Sequence, residues 1–187
     1  MTIEPGKSAA AASPSPESRG LDFYASDPSL KGMLQIYLAA AERQHLEPHL
    51  ARLGRLVGGR LDDLAREADK APPRLGPRSR QGEDRQSISK APAYLAMEKI
   101  AFGELELAAL SHRPALGCSS PLSAASKYAL TYLFAQSEFG LLCPVNMTDS
   151  LTRTIRRFAD PELIARYLPG LLAEDVDNQL QGAMFIT

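Results

Sequence analysis

The residues best equipped for chemistry in this 187-residue chain are scattered along it. His45 and His49 stand four apart, the spacing that sets two imidazoles on one helical face as a metal pair requires. Pro48 between them is expected to break the helix, and no third ligand follows at a suitable spacing, so surface or cap histidines are the simpler reading and no metal site is expected. His112, beside Arg113, reads as a positive charge at a helix C-terminus. Glu104 and Glu106 are two apart and point to different faces of a helix, a poor acid/base pair. The Gly-Cys-Ser-Ser-Pro run at 117–121 is a small-residue turn around hydroxyls, but it lacks the second glycine of a nucleophile elbow and any strand before it. No Gly-x-Gly-x-x-Gly loop occurs to cradle a phosphate. Arg153, Arg156 and Arg157 form a basic helix face, and Arg78, Arg80 and Arg85 dot a loop. Nucleic-acid binding would want aromatics interleaved with that charge and a basic balance, whereas the net charge is −1. Helix-end charge accounts for the basic face, with a subunit or domain contact open as the alternative. These residues offer no complete active site, and no catalytic residue is named from them.

The elements that must position any site read as helical. With 44% hydrophobic and 23% charged residues, the chain has the composition of a domain that buries about 70% of its unfolded surface. Cys118 and Cys143 show no paired spacing, which fits a reducing compartment. Apolar runs such as 139–145 are far short of a membrane span, and the N-terminus has no secretory pattern, so a cytoplasmic location is expected.

Residues 1–20 combine Pro, Ser and Ala without periodicity and are expected to be a disordered tail. Asp27-Pro28 opens a helix carrying Leu30, Met33, Leu34, Tyr37 and Leu38 on one face. A second helix is expected to restart near Glu47-Pro48 and to carry Leu50, Leu53, Leu56, Val57, Leu61 and Leu64. Gly58 and Gly59 inside it each cost about 1 kcal/mol relative to alanine, which points to close packing or a kink. Residues 71–90 match neither a helix nor a strand pattern and read as a solvated loop. Pro92 starts a helix with Leu95, Ile100, Leu105, Ala108 and Leu110 inward and Glu98, Glu104 and Glu106 outward. The helix from Leu122 to about Phe139 is apolar nearly all round and is expected at the centre. Thr148-Asp149 is expected to cap a short helix ending at Phe158. Asp160-Pro161-Glu162 supplies cap, preset φ and first-turn carboxylate for the next, which is expected to stop near Tyr167-Leu168 because Pro169 cannot donate into it. Residues 183–187 read as an apolar strand.

That order of capped helix, Tyr-Leu-Pro-x-Leu, linker and apolar strand ending in Thr187, with the runs at 127–144 and 147–152, resembles the acyl-CoA dehydrogenase superfamily, and within it the AidB-like adaptive-response branch. The likeness spans roughly residues 20–187. It implies an all-α fold, an orthogonal bundle of about six helices with a short terminal strand. Residues 21–182 would form the N-terminal helical domain and 183–187 the first strand of a middle β-domain. In that family FAD and an acyl-CoA thioester lie between the helical domains and the β-domain, a carboxylate removes the α-proton and the flavin takes the hydride. By motif position Met184, Ile186 and Thr187 fall where the first β-strand meets the flavin.

The family pattern continues from that Thr into Glu and a Gly-Ser-Asp turn, so the chain reads as an N-terminal fragment of a flavin-dependent oxidoreductase, inactive alone, whose parent is a homo-oligomer. FAD is expected in the parent and not in the fragment, and nucleic-acid and membrane binding are not expected. The alternative is a non-enzymatic helical module that pairs with another subunit through an exposed apolar surface.

Overall fold

The computed structural model describes residues 17–185. In chain order its elements are α1 (Pro28–Tyr37), α2 (Ala40–Leu56), α3 (Asp62–Ala68), a hairpin of β1 (Arg74–Arg78) and β2 (Asp84–Ser89), α4 (Pro92–Glu98), α5 (Ala124–Ala135), α6 (Leu142–Phe158) and α7 (Pro161–Leu171). A π-helical turn, Val57–Leu61, joins α2 and α3 into one kinked rod, and another, Lys99–Glu104, prolongs α4. The described residues thus form six helical rods, in agreement with the all-α expectation.

Helix starts follow the local chemistry. Asp27 accepts the Leu30 amide at 2.8 Å to open α1, Ser123 accepts the Ser126 amide at 3.2 Å to open α5, and Asp160 accepts the Leu163 amide at 2.8 Å to open α7. One core joins the rods: Leu46, Leu50, Leu53, Val57 and Leu61 from the kinked rod meet Met97 and Phe102, then Leu130, Leu133 and Phe134 of α5 and Val145 of α6. The central place expected for α5 is borne out by that packing, although Tyr128 and Tyr132 on its outer face are exposed.

The Gly58-Gly59 pair serves both purposes read from the sequence. A Cβ on Gly58 would collide with the Leu21 carbonyl oxygen, and the Gly20 amide donates to Gly58 O at 2.6 Å. The kink itself falls at Gly59, whose backbone leaves helical geometry. Residues 1–16 of the expected tail lie outside the described residues, while Arg19 donates to Asp63 at 2.8 Å.

Five local expectations are corrected. Pro48 sits inside α2 without ending it. An interior proline costs about 3 kcal/mol, but Leu46, Leu50 and Leu53 are fully buried on either side, each contributing about 1.5–3 kcal/mol, and their sum wins. Pro169 likewise lies inside α7, which runs on to bury Leu171, with the Leu172 amide donating to Leu168 O at 3.1 Å. Thr148 and Asp149 cap nothing: they are buried in the middle of α6, which starts six residues earlier at Leu142. On α4, Leu95 is 45% exposed whereas Glu98 is buried, its charge met by Lys90 Nζ at 2.6 Å.

Residues 74–89 form an antiparallel hairpin where a loop was expected, with Leu75 opposite Ile88 and an irregularity between Gly76 and Arg78. Its strands are exposed on both faces, so no alternation of polar and apolar residues marks them. At the other end, residues 183–185 have no ladder partner, and Ile186 and Thr187 lie outside the described residues.

Candidate functional site

After α7 the chain turns back on itself. Asp175 accepts the Asp177 amide at 3.1 Å to open a 3-10 turn, Val176–Asn178, and the chain then returns across the body as a strap. The Leu180 amide donates to Gly170 O at 2.9 Å and the Gln179 side chain to Leu171 O at 3.2 Å. Gln181 Nε2 donates to Glu98 Oε1 at 3.0 Å, an oxygen that also takes Lys90 Nζ at 2.6 Å. The Gly182 amide donates to Thr148 Oγ1 at 2.9 Å; the hydroxyl hydrogen is committed to Pro144 O at 2.7 Å, which leaves a lone pair for the strap.

Gly182 is required there by space. A Cβ would stand 2.6 Å from Met147 O, a backbone atom that cannot give way. Between the strap, α6 and α7 lies a cavity of about 320 Å³ lined by Leu151, Ile155, Tyr167, Leu171, Leu180 and Gln181. Past Gly182 the side chains of Met184 and Phe185 are 64% and 90% exposed. Of the three positions expected to meet a flavin, Met184 therefore stands on the surface at the end of the strap, and Ile186 and Thr187 lie outside the described residues.

Under α6 lies a sealed ionic cluster. Asp149 receives Lys127 Nζ on Oδ2 at 2.6 Å and His112 Nε2 on Oδ1 at 2.8 Å. Burial alone pushes the Asp149 carboxyl up, but the two hydrogen bonds and the Lys127 charge outweigh it and hold the group below the usual carboxylate range. Arg156 Nη1 donates to His112 O at 2.6 Å, and Arg153 lies 3.5 Å from Asp149. The reading of His112 as a plain helix-end charge is corrected, since it is buried against Asp149 and ties the turn before Arg113 to α6. Arg156 does stand in the last turn of α6, as read, and also reaches the His112 carbonyl, while Arg153 pairs with Asp149 one turn back in the same helix.

The other candidates do not converge. The His45 and His49 rings lie 5.5 Å apart, His45 donates to Leu116 O at 3.0 Å, and among the described residues no group of three or more His, Cys, Asp or Glu is placed to hold a metal. Burial and the neighbouring His45 hold His49 below its ordinary value. Glu106 accepts the Leu116 amide at 3.2 Å and pairs with Arg113, while Glu104 pairs with Arg52. Residues 117–121 are a turn with Gly117 at φ 78°. A groove of about 470 Å³ opens between α1 and α5, lined by Leu30, Met33, Tyr37, Tyr128 and Tyr132.

Sequence reasoning missed Glu98, Thr148, Gln181 and Gly182. The glycine ahead of an apolar run was a usable signal of close backbone approach. The other three were illegible, because their partners lie 34 to 83 residues away.

No curated protein matches the chain. Among solved structures it is similar to the apo form of Bd2924, with a TM-score of 0.76 and 29% identity over 87% of this chain and 32% of that one. It is also similar to Caenorhabditis elegans ACDH-11 in complex with C11-CoA, with a TM-score of 0.73 and 18% identity over 96% of this chain and 31% of that one, a likeness of fold. The chain spans about a third of the length of each. The family profile of the adaptive response protein AidB N-terminal domain matches residues 14–178. With that match along most of its length, and a fold shared with Bd2924 and ACDH-11, the chain belongs to the adaptive response protein AidB N-terminal domain family.

Proposed function

We propose that this helical domain forms one wall of a flavin and acyl-CoA pocket in an acyl-CoA dehydrogenase-like oxidoreductase and is inactive by itself. The observation that carries the reading is the strap, which is fastened to α4, α6 and α7 and delivers Met184 and Phe185 to the surface. Those two exposed side chains fit a flat apolar surface against which a ring system lies, and they do not enclose one. Met184 would touch the flavin here, with Ile186 and Thr187 following by motif position. FAD, when bound, supplies the hydride acceptor. The chain's own part is to present the wall and exclude water from it. The cavity under the strap, walled by Leu151, Ile155, Leu171 and Leu180, is a second apolar surface.

An acyl-CoA as the other ligand is supported by the family and by ACDH-11, which was solved with C11-CoA. We place the protein in the cytoplasm on its free cysteines; no helix among the described residues is long and apolar enough to cross a membrane. The parent's homo-oligomeric state belongs to the same proposal.

The test is a chimera in which residues 17–187 replace the matching third of a flavin-binding acyl-CoA dehydrogenase. Retention of flavin supports the wall, and a folded chimera that purifies without flavin while the parent enzyme keeps it counts against it. The chain alone is expected to be colourless and unable to reduce an electron acceptor with acyl-CoA; a stoichiometric flavin spectrum would overturn its inactivity.

A second reading, a non-enzymatic module that pairs with another subunit, is favoured by one observation. Met33, Ile36, Tyr37, Tyr128 and Tyr132 leave an exposed apolar face around the α1–α5 groove.

A further inference from the structure

Glu98 and Thr148 stand on different helices, and each holds one of two consecutive strap residues. The Glu98 side chain is 4% accessible, so its charge needs partners. Lys90 neutralises it, and the neutral amide of Gln181 supplies the further donor. Thr148 holds the next residue by its backbone: the Gly182 amide is buried and finds a hydroxyl acceptor in place of water. Two adjacent anchors on separate elements set a direction, because one alone would leave the segment free to swing about it. Beyond them, Met184 and Phe185 are exposed and make no hydrogen bond to another described residue, and an unpaired strand has little stability of its own in water.

We infer that Glu98 and Thr148 are positioning residues that clamp Gln181 and Gly182 and so fix the direction in which the chain leaves the helical body at Met184. The role matters for function only if Met184 belongs to a flavin wall, and in that sense it rests on the reading above. A binding surface must be held to about 0.5 Å by residues whose own geometry is locked, and Thr148 is locked by its bond to Pro144 O.

The test is amide hydrogen exchange, followed by NMR on the 187-residue chain. The Gly182 amide is expected to be protected. Thr148→Val, which keeps the shape and removes the acceptor, should speed its exchange about tenfold, and Thr148→Ser should restore it to within about twofold. Gln181→Ala should speed Gly182 exchange by a smaller factor. The Leu130 and Leu133 amides in the core should keep their rates in all three variants. Exchange of Gly182 at the rate of an unstructured peptide in the unaltered chain overturns the clamp, as does an unchanged rate in Thr148→Val with the core still protected. Should Thr148→Val loosen the core, Gln181→Ala decides, since its side chain is outside the core: an unchanged Gly182 rate there removes Glu98 from the role. None of these readouts involves flavin, so failure of the clamp and failure of the chimera are read separately.

Discussion

Lys127 Nζ lies 2.6 Å from Asp149 Oδ2, and both side chains are almost sealed from water. A buried pair of this kind is weak evidence of net stabilisation, but removing one partner strands the other charge. Asp149→Asn is therefore expected to cost about 3–5 kcal/mol. In a chain of this size that lowers the melting temperature by more than about 6 °C in a thermal unfolding scan. Replacing both, as Lys127→Met with Asp149→Leu, should recover much of the loss; equal destabilisation by the single and double variants would show that the pair is not the cause.

Acid should weaken the fold in two stages. The folded-state values of His49 and Asp149 are both depressed, so the unfolded chain binds their protons first. The His49 contribution is present above the ordinary imidazole value of 6.5 and is lost as pH falls through its lower folded value. The Asp149 contribution is present above 3.8 and is lost as pH falls below that. Melting temperatures measured across this range should show a shallow first decline that His49→Gln abolishes, and a steeper second one.

Two glycines should respond to alanine with opposite signs. In Gly58→Ala the new methyl meets the Leu21 carbonyl, and the segment at Gly20 and Leu21 must move, at about 1–3 kcal/mol. Gly32 lies inside α1 with nothing within 4 Å of a Cβ, so Gly32→Ala should stabilise by about 0.4–1 kcal/mol. Urea midpoints of the two variants test both signs together.

The hairpin should be dispensable for folding. Its strand residues are exposed on both faces, Gly76 and Arg78 flank a register break, and Leu75 and Ile88 pair at the surface. Replacing 74–89 by a short Gly/Ser linker is expected to change the melting temperature by less than about 3 °C, the equivalent of roughly 1 kcal/mol. A larger loss would mean that the hairpin supports α3 and α4.

What the sequence determined by itself was local: caps at Asp27 and Asp160 that act within three residues, the apolar period of α2, and the glycine pair whose cost demanded a reason. Each depends on neighbours a few positions away. Tertiary structure decided the rest. Whether Pro48 and Pro169 end a helix depends on how much leucine is buried beyond them, and a proline carries no record of that. Thr148 and Asp149 have the side chains of a cap, but burial against Lys127, His112 and Gly182 makes them interior anchors. The hairpin left no trace because solvent on both faces imposes no pattern. A motif position singles out Met184 as an expected flavin contact, whereas its place at the end of a strap rests on hydrogen bonds from Gln181 and Gly182 to residues 83 and 34 positions away. A contact of that range exists only once the helices between have packed.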